Sequence, residues 1–227
     1  PQDQVLLLNN DTVVSPGSLQ TLSAALAAMP DAWAATPRIV YAGDPERCWY
    51  DGGAVGAWTG WVRHQGIRQL ATARPREPRL VEYGTGCALL VARQGLMACG
   101  LLDEAYHLYG EDVDYSLRLW AAGGGILHVP ASVIAHKVSA SLGVASPAKV
   151  YLRSRSHVRL LRRHWSSWRL PVVARAQVGY ATAHLGGHCW HGRPDTALAL
   201  ARGLLDELTG RPDPSPAVDR SAGPVVP

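Results

Sequence analysis

The stretch VLLLNNDTVV, residues 5–14, decides the fold class of this chain. Its apolar run VLLL predicts a fully buried strand of a parallel sheet, with a neighbouring strand on each side. Asn9, Asn10 and Asp11 follow at the carboxyl end of this strand. Ligands of open α/β sheets bind at the carboxyl ends of the strands. The stretch therefore predicts an α/β fold with a binding crevice near Asp11.

Hydrophobic periodicity and Gly or Pro breakers predict further helices and strands along the chain. Residues 43–82 have poor periodicity and predict a hairpin or a long loop. The predicted strands lie at 38–41 and 88–92, with two short pieces separated by Pro130. The predicted helices lie at 18–29, from Arg93 to Gly100, at 148–168 and, as one or two helices, at 171–208.

The composition is typical of a soluble globular protein with one core and appended helices. Of the 227 residues, 47% are hydrophobic and 18% are charged, and the formal net charge is +4. Much of this charge lies between Arg153 and Arg169, which favours a local basic surface over a nucleic-acid-binding protein. We predict a core over residues 1–147, a helical extension over 148–210 and a disordered tail over 211–227.

Two further features bear on where the protein works. Four cysteines without CxxC spacing suit reduced thiols in the cytosol. No apolar run approaches the roughly 20 residues that span a bilayer. We therefore expect a cytoplasmic protein, with peripheral contact at the inner face of the plasma membrane as a further expectation.

Three carboxylates stand at the start of a predicted helix in LYGEDVDYSLRLWAAGG, residues 108–124. The structural interpretation is that Glu111, Asp112 and Asp114 interact with the helix dipole, and that Asp114 pairs with Arg118 on the helix surface. The functional interpretation is that one of them is a catalytic base. Local sequence alone favours the structural interpretation. The positions that predict a core-facing stripe are Val113, Leu117, Trp120 and Ala121.

Asp11 and His136 are the candidate metal ligands, because each follows a predicted strand at its carboxyl end. A loop carboxylate suits Mg²⁺ or Mn²⁺ that carries a diphosphate, and imidazole joined with carboxylate suits Mn²⁺. The structural alternatives are an ordinary Asn-Asp turn and a hydrogen-bonded histidine. Each signal is weak alone, and only their order along the chain strengthens them.

That order resembles the second half of family 2 glycosyltransferases. The resemblance covers about residues 4–165 and is carried by LLLNNDTVV, TGCALLVAR, LDEAYHLYGEDVDYSLRLWAAGG and HVPASVIAH. It is greatest to the bacterial rhamnosyltransferase and galactofuranosyltransferase branch, which elongates cell-envelope polysaccharides. It implies a GT-A-like, Rossmann-type mixed sheet with flanking helices. Family members also have two or three nucleotide-binding strands before the NND strand, so we expect this chain to hold the metal, base and acceptor half.

The resemblance implies roles for individual residues. Asp11 matches the family's metal-binding aspartate, and His136 matches the histidine that completes the metal site. Asp112 matches the general base, with Glu111 beside it as a second catalytic candidate. The positions for which the resemblance implies substrate contacts are Asn9, Asn10, Thr85 and Gly86. The implied reaction is an inverting transfer from a nucleotide-sugar to a cell-envelope glycan or lipid-linked acceptor, with Mg²⁺ or Mn²⁺ as cofactor and no nucleic acid as partner.

The same residues leave two rival functions open. A metal-dependent hydrolase would use Asp11, Glu111 and His136, but hydrolytic sites usually gather three or more protein donors around the metal. An inactive module that binds glycans or a membrane surface is the second rival. The isolated chain is also expected to aggregate and to lack transferase activity if strands are missing beside VLLL.

Other patterns leave alternatives open. The helix at 148–168 has an apolar stripe and an arginine-rich side, which suits either ordinary packing or docking on anionic lipid. Trp58 and Trp61 suit either stacking on sugar rings or buried loop anchors. A metal site at His184, His188 and His191 is disfavoured by the intervening Gly pair. The stripe is Val158, Leu161, Trp165 and Trp168, and the arginines are Arg155, Arg159, Arg162 and Arg163.

Overall fold

The computed structural model describes residues 4–74, 76–138, 146–190 and 192–212. Within these residues the chain forms nine strands and six helices. The strands are β1 (Gln4–Leu8), β2 (Thr12–Val14), β3 (Ala32–Tyr41), β4 (Asp44–Tyr50), β5 (Gly53–Val55), β6 (Val62–His64), β7 (Arg79–Val81), β8 (Ala88–Ala92) and β9 (Gly125–His136). The helices are α1 (Ser18–Ala27), α2 (Arg93–Cys99), α3 (Glu111–Ala121), α4 (Pro147–His164), α5 (Leu170–Trp190) and α6 (Pro194–Leu208).

Seven strands form one mixed sheet around a parallel pair. Its main path runs in the order β1-β8-β3-β9-β2, and β4 and β7 add to β3 and β9. β3 and β9 are parallel, whereas the other pairs are antiparallel. β5 and β6 make a separate hairpin within the segment predicted as a hairpin or loop. The predicted α/β fold with a mixed sheet and flanking helices is confirmed.

Helices cover both faces of this sheet. Successive residues of β9 point to opposite sides, as strand geometry requires. Leu127 packs in one core cluster with Leu22 of α1, and Ile126 packs in another with Leu119 of α3. All four side chains are at most 1% exposed. The sheet is therefore the middle layer of an α/β sandwich.

The prediction that VLLL is a fully buried strand between two neighbours is wrong in this structure. Among the described residues, β1 pairs only with β8, and the pairing is antiparallel. Val5 is 37% exposed and Leu8 is 41% exposed. β1 is thus an edge strand of the described sheet.

β3 and β9 are longer than their sequence patterns indicated. β3 begins at Ala32, earlier than predicted. Ala32 and Ala35 are buried on the α1 side of the sheet and Ala34 on the α3 side, although alanine gives little hydrophobic signal in the sequence. β9 runs through Pro130 as one strand, whereas two separate pieces were predicted. Its pairing shifts there, since Pro37 faces Val129 but Arg38 faces Val133. Pro130 therefore lies in a bulge, where its missing N–H is tolerated.

α4 and α6 pack together, and arginines of α4 are part of that contact. Ser146 caps α4, accepting a hydrogen bond from the Lys149 backbone N–H at 3.4 Å. Glu207 of α6 pairs with Arg155 at 3.1 Å and with Arg159 at 2.8 Å. Arg155 is only 4% exposed. The arginine-rich side of α4 therefore serves packing at these two positions.

After α6 the structure describes the chain as far as residue 212. Of the predicted disordered tail, residues 213–227 lie outside the described residues. The backbone carbonyls of Arg211 and Pro212 accept hydrogen bonds from Arg155 at 2.6 and 3.2 Å, and the bounds of the tail stay a prediction. In the part of the chain that the structure describes, no helix combines the length and apolarity needed to cross a membrane.

A buried ion cluster ties the segment at 43–82 to the sheet. Asp51 is fully buried, and Arg38, Arg74, Arg79 and His128 all contact its carboxylate at 2.7 to 3.2 Å. Hydrogen bonds and charge from these groups outweigh the effect of burial and lower the pKa of Asp51. The cluster was not found from the sequence.

Candidate functional site

The pairing of β2 with β9 brings Asp11 and His136 together. Thr12 lies opposite His136 in the antiparallel register, so the residue before Thr12 reaches the end of β9. Asp11 Oδ1 is 3.1 Å from His136 Nε2. The backbone carbonyl of Asp11 also accepts a hydrogen bond from the Lys137 N–H at 2.9 Å. A carboxylate and an imidazole thus meet at the end of the central sheet.

These two side chains are partly withdrawn from solvent. The His136 side chain is 9% exposed and that of Asp11 is 21% exposed. Among the described residues, His136 Nδ1 is buried without a hydrogen-bond partner. A buried nitrogen without a partner is costly unless it has a ligand. The same described residues contain no group of three or more His, Cys, Asp or Glu side chains that could hold a metal.

Trp49 and His64 extend this site and were missed by sequence reasoning. The Trp49 ring centroid lies 4.5 Å from those of His136 and His64, with both histidines near-perpendicular to the indole. His64 Nδ1 also lies 3.3 Å from the Trp49 carbonyl oxygen. Burial lowers the pKa of His64 to about 4, so its imidazole is neutral at pH 7. No local pattern signals this row, because it depends on how β4, β6 and β9 come together.

The carboxylates at 111 and 112 follow a strained turn. Tyr109 has φ +68° and Gly110 has φ +88°, so two successive residues are left-handed. A non-glycine residue in this region costs about 1 kcal/mol or more and persists only where its surroundings hold it. The turn sends the chain into α3 so that Glu111 and Asp112 stand in its first turn.

Asp112 is held by the glycine-containing segment before β8. Its Oδ2 accepts a hydrogen bond from the Gly86 N–H at 2.9 Å, and its Oδ1 accepts from the Val113 N–H at 2.8 Å. The side chain of Thr85, which is 3% exposed, forms a further hydrogen bond with Asp112 that favours the ionised carboxylate. A Cβ on Gly86 would lie 3.5 Å from the Asp112 Cβ, so this segment runs directly over the carboxylate.

Glu111 and Asp112 form a coupled pair of carboxyl groups. Burial, followed by the negative charge of Asp112, raises the pKa of Glu111 to about 7. Burial also raises the pKa of Asp112, although its backbone hydrogen bonds oppose this rise. Glu111 Oε2 is buried without a hydrogen-bond partner among the described residues. One member of the pair can therefore hold or release a proton near neutral pH.

A single short segment connects the two halves of the site. The Cys87 carbonyl accepts a hydrogen bond from the Asn9 N–H at 3.0 Å, and the neighbouring Gly86 N–H binds Asp112. Burial raises the pKa of the Cys87 thiol to about 12, and the negative charges of Asp11 and Asp112 add to this rise. Residues 86 and 87 thus contact both the turn that bears Asp11 and the Asp112 carboxylate.

Other candidate residues have varied positions. Asn9 and Asn10 are exposed beside Asp11. Trp58 is 52% exposed and Trp61 is 44% exposed, so the expectation of buried loop anchors is wrong for both. Of the disfavoured histidine group, the His184 ring packs on Tyr180 at 4.0 Å between centroids, while His191 and the side chain of His188 lie outside the described residues.

Two predictions about α3 are wrong in part, namely the surface position of Asp114 and the core-facing stripe. Asp114 pairs with Arg118 at 2.8 Å as predicted, but it is fully buried rather than on the helix surface. Of the stripe, Val113 is 4% exposed, whereas Trp120 is 39% exposed and Ala121 is also exposed. The buried face of α3 includes Asp114 instead of Trp120, and Asp114 contacts Arg163 and His164 of α4.

Known proteins resemble this chain in sequence and in fold. No protein-family model matches it. N-acetylglucosaminyl-diphospho-decaprenol L-rhamnosyltransferase of Mycobacterium tuberculosis is 31% identical over 184 residues, which are 75% of this chain and 59% of that protein. Polypeptide N-acetylgalactosaminyltransferase 18 of Homo sapiens is 42% identical over 67 residues, which are 29% of this chain and 10% of that protein.

One solved structure shares the fold. The crystal structure of GalNAc-T7 with UDP, GalNAc and Mn²⁺ superposes with a TM-score of 0.53 at 17% identity, over 74% of this chain and 32% of that chain. The chain spans 59% of the length of the rhamnosyltransferase that it matches.

Proposed function

Because the chain is similar over 184 residues to a rhamnosyltransferase and shares the fold of GalNAc-T7, we propose that it belongs to the family 2 glycosyltransferases and carries the metal, base and acceptor part of an inverting enzyme. The donor is a nucleotide-sugar, and the acceptor is a cell-envelope glycan or a lipid-linked glycan. The name of the mycobacterial relative, which describes a sugar carried on a lipid diphosphate, supports the second acceptor class.

The observation that carries this proposal is the shared segment at Gly86 and Cys87. The Gly86 N–H binds Asp112 at 2.9 Å, and the Cys87 carbonyl binds the N–H of Asn9 in the turn that bears Asp11. An inverting transfer needs a base on one side of the anomeric carbon and charge stabilisation for the departing diphosphate on the other. Contact of both candidate groups with this one segment supports assigning the two functions to one site.

The base role falls to Asp112. Two backbone N–H groups orient its carboxylate, and its raised pKa suits a group that accepts a proton from an acceptor hydroxyl. Glu111 stands beside it and shares the protonation equilibrium. As the acceptor oxygen bonds to the anomeric carbon, its proton passes to Asp112 and the bond to the diphosphate breaks.

Asp11 and His136 are the residues that would hold a divalent metal, Mg²⁺ or Mn²⁺. Asp11 Oδ1 and His136 Nε2 lie 3.1 Å apart, and a carboxylate oxygen with an imidazole nitrogen is a donor set that suits Mn²⁺. When bound, the metal stabilises negative charge on a leaving diphosphate. GalNAc-T7, whose crystals contain UDP and Mn²⁺, lends support to this choice. Asn9, Asn10, Thr85 and Gly86 remain candidates for substrate contacts.

Metal-dependent hydrolysis is the weaker proposal, since the described residues supply no third ligand beside Asp11 and His136. A cytoplasmic location with peripheral membrane contact is part of the proposal, because a lipid-linked acceptor is presented at a membrane surface.

Two substitutions test the proposed function in the full-length protein. Asp112→Asn should lower kcat by roughly 10² to 10⁴ while UDP affinity stays nearly unchanged, since only the proton acceptor is lost. Asp11→Ala should weaken the Mn²⁺-dependent part of UDP binding in calorimetry. Asp195→Asn changes an exposed acid at the start of α6, which packs on α4 and α5, and is the control. Full turnover by Asp112→Asn would contradict the base assignment, and an Mn²⁺-dependent gain in UDP affinity equal to that of the wild type in Asp11→Ala would contradict the metal assignment.

A further inference from the structure

Four large aromatic side chains are exposed on one surface built by the β5–β6 loop and α5. We call Trp58, Trp61, Trp168 and Tyr180 the aromatic belt. Their exposed fractions are 52%, 44%, 63% and 41%. Trp58 packs edge-on against Trp168 at 5.7 Å between centroids, and Trp61 packs against Tyr180 at 5.9 Å. Clustered exposed aromatics of this kind mark an interaction surface.

The belt is held in place by buried contacts beneath it. Trp165 Nε1 donates a hydrogen bond to the Ala57 carbonyl at 2.8 Å. Gln177 Nε2 donates to the Thr59 carbonyl at 2.5 Å. Gly60 has φ +67°, and a Cβ there would lie 2.2 Å from Leu161 Cδ2, so the loop packs tightly on α4. The exposure of the aromatic side chains is therefore a property of an anchored loop.

Two arginines lie at the belt. The Arg169 guanidinium lies 5.1 Å from the Trp58 ring centroid and 4.7 Å from that of Trp168. Arg175 lies on the exposed side of α5. No Asp or Glu occurs from residue 115 to residue 194, the range that contains Trp168, Tyr180 and both arginines. Trp and Tyr beside arginine is the composition that favours the headgroup region of an anionic bilayer.

The features of the belt disfavour two other occupants. Sugar stacking needs an open ring face, whereas Arg169 and Trp168 already crowd the Trp58 ring. A second copy of the chain would bring Arg169 and Arg175 of two belts together, and like charges at a contact cost free energy. Neither argument applies to an anionic membrane.

The belt is also close to the candidate site. β6 leads from the belt to His64, because Trp61 and His64 are three residues apart, or about 10 Å along a strand. His64 packs on Trp49, and Trp49 packs on His136. We propose that the aromatic belt docks on an anionic phospholipid surface. Its use in presenting a lipid-linked acceptor to Asp112 rests on the proposed function, whereas the docking itself does not.

Vesicle flotation tests the docking. The 227-residue chain, at a concentration at which it is monomeric, should float with vesicles of phosphatidylcholine and phosphatidylglycerol, and less so at high salt. Trp58→Ser combined with Trp168→Ser should weaken binding at least about tenfold, because two apolar anchors are lost. Met97→Ser combined with Leu101→Ser is the matched control, since these side chains are 77% and 81% exposed on another surface. Circular dichroism and thermal melting confirm that both variants are folded.

Three results would overturn the docking proposal. They are no flotation of the unsubstituted chain, equal flotation of the double tryptophan variant, and a dimer in solution that the tryptophan substitutions abolish. Retention on immobilised polysaccharide without vesicle binding would likewise assign the belt to glycans. Flotation needs no donor and no turnover, so flotation without transferase activity would sink only the proposed function. Transfer to a water-soluble acceptor without flotation would sink only the docking.

Discussion

At the scale of single residues, Glu111 and Asp112 set how the proposed reaction depends on pH. Burial and the Asp112 charge raise the pKa of Glu111 to about 7, and burial raises that of Asp112. A base must be ionised to accept a proton, so kcat/KM should fall as the pH drops below about 7. In Glu111→Gln the neighbouring charge is lost, and the inflection should move to lower pH. A pH–rate profile with the same inflection in both proteins would show that the two carboxyl groups do not share a proton.

The same raised pKa predicts a pH-dependent stability. The folded pKa of Glu111, about 7, lies above its unfolded value of about 4.3, so the folded state keeps a proton that the unfolded state loses between these limits. The free energy of unfolding therefore falls as the pH rises through this window. Glu111→Gln should raise it by about 1 to 3 kcal/mol at pH 8 and change it little at pH 4. Urea unfolding measures this, with the exposed Glu77→Gln as control; an equal gain at both pH values would exclude the ionisation of Glu111 as its cause.

At the scale of elements, Asp114 joins α3 to α4. Its carboxylate lies 2.7 Å from His164 Nε2 and 3.2 Å from Arg163 Nε, in addition to Arg118 on its own helix. Hydrogen bonds from His164 and Arg118 and the charges of Arg118 and Arg163 lower the pKa of Asp114 despite burial. Removing one member of a buried ion network leaves the others without a counter-charge, which is strongly destabilising.

Asp114→Asn should therefore lower the free energy of unfolding by about 2 to 4 kcal/mol. The folded fraction should keep its kcat, because Asp114 points toward α4 and not toward Gly86. Asp112→Asn should show the opposite pattern, with kcat reduced and stability nearly kept. Thermal melting and turnover measured on both variants separate the two roles. A large loss of kcat in a fully folded Asp114→Asn protein would show that this position takes part in the reaction.

Elements defined by local pattern were predictable, and those defined by distant partners were not. The apolar run at 88–92 and the amphipathic segment from Glu111 form β8 and α3, since each carries its own periodicity. Asp11 and His136 were singled out because they follow predicted strands, and the structure brings them to 3.1 Å, while their metal-binding role stays a prediction. Asp51 and Trp49 were missed, because their partners come from strands far apart in the chain. One sequence contains no local signal for such contacts.

At the scale of the whole molecule, the described sheet ends in an open apolar strand. β1 has the sequence QVLLL, carries no charge and pairs with β8 along one side only, as far as the described residues show. An uncharged edge strand of this kind can pair with the same strand of another chain. We expect the 227-residue chain to self-associate at higher concentration through β1. The free backbone groups of the edge would supply the hydrogen bonds, and Val5 and Leu8 the apolar contact.

Val5→Lys should reduce this self-association, because a lysine on an edge strand opposes pairing with a second copy. Val13→Lys is the matched control: Val13 is 50% exposed, but it lies on the three-residue strand β2, which offers too short a ladder for stable pairing. Sedimentation equilibrium over a range of concentrations should show a shift toward monomer for Val5→Lys and none for Val13→Lys. A chain that stays monomeric at all concentrations, or one that associates equally in Val5→Lys, would show that the β1 edge is not the contact.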